Sequence, residues 1–374
     1  MDNILLSAAL AFLVTFFAIP VIIQVAKDKK LFDEPDERKV HKTVIPTLGG
    51  LGIFAGFIVA TLMGVPQGIS TELQYVAAAT IVIFFLGIKD DILIISPSKK
   101  FIGQVIAAGI LIKFANVQIT SMHGLFGIYN IPHFASIALS LFTIIVITNS
   151  FNLIDGVDGL AGSLGSLTTI VFGIYFYAIG HTDYAVMAFA LAGSLISFLI
   201  YNFSPAKIFM GDTGSLLVGL INSLLVIKFI NLAGSAEVSF PVQSAPAIGF
   251  AILMIPLFDT LRVFGHRILD RRSPFSPDRT HIHHFLLDLG FSHKKITLTC
   301  VGANILFIVL AYSLRGMGTT VVGSILLATG FLFIGVIYYL RQKTRPLSVD
   351  QIVENEMRKS HKIITLSPES VEVE

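Results

Sequence analysis

The chain has 374 residues, of which 54% are hydrophobic and only 13% are charged, and its mean hydropathy is +0.81. A soluble domain is about 45–50% apolar, so this composition argues against a soluble protein and indicates a polytopic membrane protein. The formal net charge of +2 leaves no electrostatic footprint for nucleic acid, and no such partner is expected. The single cysteine, Cys300, excludes an intrachain disulfide and a CxxC metal site.

The apolar stretches predict an all-α integral membrane protein with about eleven transmembrane helices. A spanning helix needs about 20 mostly apolar residues. The stretch 4–26 lacks a preceding basic segment and is too long for a signal-peptide core, so we expect it to be the first span. The predicted spans are 3–25, 48–66, 73–89, 101–116, 132–149, 159–179, 184–201, 214–232, 245–265, 296–314 and 317–340. Residues 1–340 then form one membrane domain, and 341–374 form a polar tail.

Two local features refine this pattern. Pro246 and Pro256 predict a kink in the span 245–265, because proline interrupts helix hydrogen bonding. The loop 116–131 contains Gly124 and Gly127 and is compatible with a short hairpin.

The basic residues predict the orientation. With the N-terminus outside, all but three of the 26 Lys and Arg residues fall in or beside cytosolic segments, the three being Lys113, Lys228 and Arg315. Cytosolic loops carry such an excess of basic residues, and an even number of spans would destroy it. The C-terminal tail and every motif described below are therefore expected at the cytosolic face.

Asp90 and Asp91 follow the apolar run 81–88 and Lys89. Adjacent carboxylates repel each other and favour a bound cation or proton. They indicate either binding of Mg²⁺ or an acceptor phosphate, or a solvated helix end beside Lys89.

Asn149, Asn152, Asp155 and Asp158 recur every three residues, which places them on one face of a helical path. Mg²⁺ prefers oxygen ligands, usually one or two from protein together with substrate phosphates and water. Helix capping is the other explanation, but it requires one such residue rather than four. Asp212, between Gly211 and Thr213, fits both an N-cap and a metal ligand at a helix N-terminus.

His281, His283 and His284 follow Ser273–Arg279 in a basic loop. Zinc is one explanation, although no HExxH or cysteine partner is present. Pyrophosphate binding with Arg279 is a second, and a positive-inside loop is a third. In the first loop, Arg38–Lys42 precedes the glycines of Pro46–Gly52, which indicate either close helix packing or room for a nucleotide or lipid.

Together these residues resemble the polyprenyl-phosphate N-acetylhexosamine-1-phosphate transferases, glycosyltransferase family 4. The resemblance covers about residues 1–340. Its motifs are Pro46–Gly50, Asp90-Asp91, Asn149–Gly159, Phe209–Ser215 and Ser273–His284. The last motif is similar to that of the bacterial undecaprenyl-phosphate GlcNAc-1-phosphate transferases. The phospho-MurNAc-pentapeptide transferases typically carry three consecutive histidines, whereas Ile282 interrupts the run here.

The resemblance implies a reaction and a set of roles. A UDP-N-acetylhexosamine, UDP-GlcNAc in this branch, gives its phospho-sugar to undecaprenyl phosphate in the bacterial cytoplasmic membrane and releases UMP. Mg²⁺, with Mn²⁺ as a substitute, is the implied cofactor, and a homodimer is a further expectation. The implied metal ligands are Asn152 and Asp212; the catalytic residues are Asp90, Asp91, Asp155 and Asp158; the substrate-binding residues are Lys42, Asn149, Arg279, His281, His283 and His284.

Two hypotheses from other classes stay open. A secondary transporter would place ionisable groups near the bilayer midplane and often contains inverted repeats. The acids here lie at span ends and no repeat is evident. A non-catalytic scaffold of the cell envelope would not need the registered Asn/Asp pattern.

Overall fold

The computed structural model describes residues 2–29, 32–33, 45–66, 72–93, 95–235, 238–271 and 280–344. Predictions for Lys42, Arg279 and most of the tail fall outside these ranges. The described α-helices are α1 (Asp2–Lys29), α2 (Gly49–Gly64), α3 (Leu73–Leu93), α4 (Pro97–Lys113), α5 (His133–Ile154), α6 (Leu160–Ala178), α7 (Thr182–Asn202), α8 (Gly211–Ala233), α9 (Ala245–Ile252), α10 (Met254–Leu269), α11 (Ile282–Asp288), α12 (His293–Ser313) and α13 (Thr319–Thr344). Two antiparallel strand pairs join β1 (Phe32–Asp33) to β2 (Ile45–Pro46) and β3 (Ser121–Leu125) to β4 (Ile128–Asn130).

The chain is a multi-pass helical membrane protein. Among the described residues, seven helices are long and apolar enough to cross a bilayer: α1, α5, α6, α7, α8, α12 and α13. The bent pair α9 and α10 provides an eighth if it is one span. The predicted spans 48–66 and 101–116 form helices of only 16 and 17 residues. The count of eleven and the outside N-terminus therefore stay predictions.

Helix α8 is the centre of the bundle. Its sequence is apolar around the whole circumference, and nearly all of its side chains are buried. Such a helix is stable only when other helices surround it. Helices α2, α3, α5 and α6 pack on it, so its N-terminus has a fixed position at one end of the molecule.

Glycines bring the backbone of α2 close to the start of α8. A Cβ added to Gly50 would lie 2.2 Å from the backbone N of Gly214, which no side chain tolerates. The backbone N–H groups of Gly49 and Gly50 donate hydrogen bonds to the carbonyls of Phe209 and Met210, at 2.9 and 2.8 Å. Of the two explanations for this glycine-rich segment, close helix packing is confirmed.

The proline-containing span is broken, as the sequence predicts. Helices α9 and α10 meet at Leu253 with a bend of 88°. Pro256 lies in the first turn of α10, where its missing N–H leaves no intrahelical bond unmade. Asn304 of α12 pairs with the broken backbone: its amide donates to the carbonyl of Ile252 at 2.9 Å and its oxygen accepts from the N–H of Ile255 at 3.0 Å.

The predicted hairpin in 116–131 is also confirmed, since β3 and β4 pair there. It lies at the end of the bundle opposite the start of α8. Lys228, one of the three basic residues outside the cytosolic set, is buried at this end and forms an ion pair with Glu72 at 2.7 Å. Tyr184 donates to the same carboxylate at 2.8 Å. The charge of Lys228 is therefore compensated within the protein.

We expect Asn304→Leu to destabilise the bend between α9 and α10. The substitution leaves one backbone carbonyl and one N–H without partners, each costing about 1–3 kcal/mol. Thermal unfolding in detergent should show a clearly lower Tm. Ser313→Ala is the matched control on α12, because the Ser313 hydroxyl bonds only to the carbonyl of Val309 in its own helix. Equal Tm values for the two variants would contradict the role given to Asn304.

Candidate active site

Four helix ends meet at the end of the bundle where α8 begins. The last turns of α3 and α5 and the first turns of α4 and α8 each bring one polar side chain to this point. These side chains are Asp90, Lys100, Asn152 and Asp212. Three of them were predicted as site residues from the sequence, whereas Lys100 was recognised only as a basic residue near a span.

The ammonium group of Lys100 lies where three oxygen atoms converge. Its Nζ atom is 2.5 Å from Oδ2 of Asp212 and 3.1 Å from Oδ2 of Asp90. It also donates to Oδ1 of Asn152 at 3.3 Å. Because the Lys100 side chain is only 17% exposed, these charge-assisted contacts are poorly screened by water.

The same oxygens are suited to a divalent cation. Asn152 and Asp212 are in direct contact through Nδ2 and Oδ1, and Asn152 also donates to Ser215 Oγ at 3.0 Å. This arrangement turns Oδ1 of Asn152 and Oδ2 of Asp212 toward the same positive charge, the ammonium group of Lys100. Mg²⁺ is bound by one or two such protein oxygens together with phosphate and water, so the donor set fits the predicted metal.

Asp91 does not share the environment of Asp90. Its Oδ1 accepts from the backbone N–H of Asp212 at 2.7 Å, and its Oδ2 accepts from the N–H of Thr213 at 3.0 Å. These are N–H groups at the start of α8, which have no intrahelical acceptor. Asp91 therefore fixes the first turn of α8 and, with it, the backbone of Asp212. The predicted catalytic role of Asp91 stays a prediction.

Asp158 lies in the loop between α5 and α6, and other elements surround its carboxylate. Its Oδ1 is 3.2 Å from Nδ1 of His293, and its Oδ2 accepts from the N–H of Ala206 at 3.2 Å. The hydroxyl of Thr297 donates to its carbonyl at 3.0 Å. Asp158 connects the loop to α12 and to the segment before α8, which gives it a structural position whether or not it contacts substrate.

Asp155, at the end of α5, has neither a cation nor a hydrogen-bond donor beside its carboxylate among the described residues. Burial and the negative charges of Asp212, Asp91 and Asp158 raise the pKa of Asp155 well above its usual value. Such a strained carboxyl group is typical of a functional site, since a purely structural role would favour a paired one. It is the acid in the cluster most available to a ligand.

Asn149 lies one turn before Asn152 and forms a reciprocal amide pair with Gln104, at 3.2 and 2.8 Å. Gln104 lies four residues after Lys100, on the same side of α4. The pair therefore fixes α4 against α5 at the level of Lys100. Gln104 was not predicted as a site residue, because a lone glutamine in an apolar run gives no signal. Substrate binding by Asn149 stays a prediction.

The three histidines lie at the start of α11, next to the loop that carries Asp155. The ring of His283 is so close to this loop that a Cβ on Gly156 would lie 2.7 Å from its Nε2. Burial and the charge of His284 lower the pKa of His283 to about 3, so this ring is neutral at pH 7. No group of three His, Cys, Asp or Glu side chains in the described part of the chain has metal-binding geometry, which gives the zinc explanation no support.

Comparison with known proteins identifies the family. A model described as glycosyl transferase family 4 matches residues 73–230, which contain the acidic cluster and Lys100. A probable undecaprenyl-phosphate N-acetylglucosaminyl 1-phosphate transferase of Bacillus subtilis is 31% identical, over 84% of this chain and 87% of that protein. The chain belongs to glycosyl transferase family 4.

Two further relatives have comparable sequence identity to this chain. An undecaprenyl-phosphate alpha-N-acetylglucosaminyl 1-phosphate transferase of Haemophilus influenzae is 34% identical, over 79% of this chain and 82% of its own. A decaprenyl-phosphate N-acetylglucosaminephosphotransferase of Mycobacterium tuberculosis is 33% identical, over 77% and 76%. These matches extend well beyond residues 73–230, and they confirm the resemblance found in the sequence. Membership in this family makes the chain a transferase.

We expect Asp155→Asn to stabilise the ligand-free protein. The folded-state pKa of Asp155 exceeds that of the unfolded chain, near 3.8, so the carboxyl group costs increasing stability as pH rises from about 4 through the raised pKa. In EDTA, the variant should unfold at a higher temperature than wild type at pH 8, by roughly 2–4 °C for each 1 kcal/mol gained. The difference should vanish near pH 4.

The matched control is Asp288→Asn, which removes a carboxylate that is 44% exposed and paired with Arg341. An exposed pair contributes about 0–1 kcal/mol, so this variant should show no gain that grows with pH. A lower Tm for Asp155→Asn at pH 8 would contradict the unpaired environment assigned to Asp155.

Proposed function

We propose that the protein transfers GlcNAc-1-phosphate from UDP-GlcNAc to undecaprenyl phosphate, with release of UMP and formation of undecaprenyl-diphospho-GlcNAc. The observation that supports this most is the convergence of Asp90, Asn152 and Asp212 on the ammonium group of Lys100, where four helix ends meet. A lipid phosphate and a soluble nucleotide can meet only at such an interface. The printed names of the relatives point to the same acceptor class and the same sugar.

The metal in this proposal is Mg²⁺, with Mn²⁺ as a substitute. Asn152 Oδ1 and Asp212 Oδ2 would hold it, because both oxygens already accept hydrogen bonds from the positively charged Nζ of Lys100. When bound, it would neutralise charge on the diphosphate and polarise the phosphorus that is attacked. Lys100 provides a second positive charge at the same place, and it stays available to oxygen atoms of the diphosphate.

The protein's part in the reaction is positioning and charge neutralisation. Near pH 7 the acceptor phosphate is already anionic, so an oxygen of undecaprenyl phosphate attacks the β-phosphorus of the donor without prior loss of a proton. UMP leaves from the opposite side. Phosphoryl transfers of this kind depend mainly on alignment and electrostatics. Asp90, held by Lys100 and by the N–H of Ile95 at 2.7 Å, lies at the acceptor end of this arrangement.

The membrane setting completes the proposal. The cluster faces the cytosol of a bacterium, where the sugar nucleotide is found, and the polyprenyl tail remains in the cytoplasmic membrane. The excess of basic residues on that side supports this orientation. Ile282 separates His281 from His283, and this motif resembles that of the GlcNAc-1-phosphate transferases, which favours the GlcNAc donor over MurNAc-pentapeptide. The relatives are named as transferases and match this chain over most of their own length, which argues against a transporter.

The substrate prediction is direct. Purified protein with Mg²⁺ and undecaprenyl phosphate should release UMP from UDP-GlcNAc and not from UDP-MurNAc-pentapeptide. A coupled assay for UMP, with product lipid identified by mass spectrometry, provides the measurement. Release from the pentapeptide donor alone would assign the protein to the peptidoglycan reaction. Release from neither donor by well-folded protein would refute the proposal.

The metal prediction has two readouts. EDTA should abolish UMP release, and Mg²⁺ or Mn²⁺ should restore it. In the absence of substrate, Mg²⁺ should raise the Tm of wild type, because a ligand of the folded state stabilises it. Asp212→Ala should lose turnover by at least about a hundredfold and also lose the Tm response, since removing the carboxylate removes a ligand. A normal Tm response in Asp212→Ala would exclude Asp212 from the metal site.

A further inference from the structure

A second buried carboxylate lies beside the histidines, outside the acidic cluster. Asp259 of α10 is 1% exposed, so its carboxylate has lost nearly all hydration. A buried carboxylate is stable only where hydrogen bonds or charges replace water. Oδ1 of Asp259 accepts from the Arg262 guanidinium at 2.8 Å and from the backbone N–H of Ile282 at 3.1 Å.

The other oxygen of Asp259 fixes a histidine ring. Oδ2 lies 2.9 Å from Nδ1 of His281. Because an ionised carboxylate only accepts, Nδ1 carries the proton, and the ring is held by this nitrogen. Nε2 of the same ring is buried and has no hydrogen-bond partner among the described residues. Buried polar atoms are nearly always paired, so Nε2 is the ring atom that is available to a ligand.

The position of His281 connects it to the acidic loop. Its ring is parallel to that of His283, with 5.8 Å between centroids. His283 in turn contacts the loop at Gly156, next to Asp155. The ring of His283 therefore lies between His281 and the loop that carries Asp155. Arg262 also donates to the carbonyl of Thr280, so α10 holds the chain on both sides of His281.

We propose that Asp259 is a positioning residue that holds His281 by Nδ1, so that Nε2–H donates a hydrogen bond to an anionic oxygen of a bound nucleoside diphosphate. This inference rests on the proposed function, because the sugar nucleotide supplies the anion. Donation by both ring nitrogens requires the imidazolium form.

This arrangement differs from a purely structural tether. If Asp259 only attached α11 to α10, its removal would weaken ligand binding equally whether or not His281 is present. If it acts through His281, its removal has little effect once the ring is gone. A double-mutant cycle separates these two cases, because residues that act as a unit are not additive.

The experiment is calorimetric titration of UDP in the presence of Mg²⁺, with wild type, Asp259→Asn, His281→Gln and the double variant. We expect each single substitution to weaken binding about tenfold, as loss of an outer partner commonly does. The double variant should be within about twofold of His281→Gln. The control is Asp288→Asn, on the same helix α11, which should bind UDP as wild type does.

Additive losses, or wild-type binding by Asp259→Asn, would overturn the inference. A spectroscopic measurement on wild type covers the case in which Asp259→Asn does not fold. With ¹⁵N-histidine labelling, and His281 assigned by its absence in His281→Gln, UDP should shift the Nε2 resonance more than the Nδ1 resonance. No shift at Nε2 would also overturn the inference. UMP release by wild type tests the proposed function separately, because the cycle depends only on binding.

Discussion

The partly buried ammonium group of Lys100 holds the acidic cluster together. Without it, the carboxylates of Asp90 and Asp212 would lie close together at the ends of packed helices with no compensating charge, which is strongly unfavourable in a poorly solvated site. Its contacts join α3, α4, α5 and α8 at one point. The rest of the architecture, from the buried α8 to the glycine contacts of α2, keeps these four helix ends in register.

The acids of the cluster differ in whether neighbouring residues provide hydrogen-bond partners for their carboxylates. Asp91 and Asp158 have hydrogen-bond partners that fix the start of α8 and the loop after α5. Asp155 has no such partner among the described residues, and burial with nearby negative charges raises its pKa, so that its ionised form is unfavourable in the fold. Proteins commonly accept lower stability at sites that bind ligands. The distribution of partners therefore separates the acids that hold the backbone of the site from the one acid that no described residue pairs with, a distinction that the spacing of the acids does not contain.

The sequence predicts much of this protein because its strongest signals are local. Apolar runs predict membrane helices, prolines predict a kink in the span 245–265, and polar residues at span ends predict the cluster. What depends on contacts between distant segments was missed. Lys100 and Gln104 look like an ordinary basic flank and a lone amide, and Asp259 is a single acid in an apolar span. Their roles arise only when α4 packs against α5 and when α10 meets α11. The number of spans also stays a prediction, since the short helices α2 and α4 have only 16 and 17 residues.

We propose that the oxygens around Lys100 form a divalent-cation site, and the proposed reaction depends on it. The most direct test is an experimental structure with Mn²⁺ and UDP, in which anomalous scattering locates the metal. We predict one peak at bonding distance from Oδ1 of Asn152 and Oδ2 of Asp212, with Lys100 displaced toward the diphosphate. A metal bound elsewhere, for instance by the histidines of α11, with Lys100 still between Asp90 and Asp212, would contradict it.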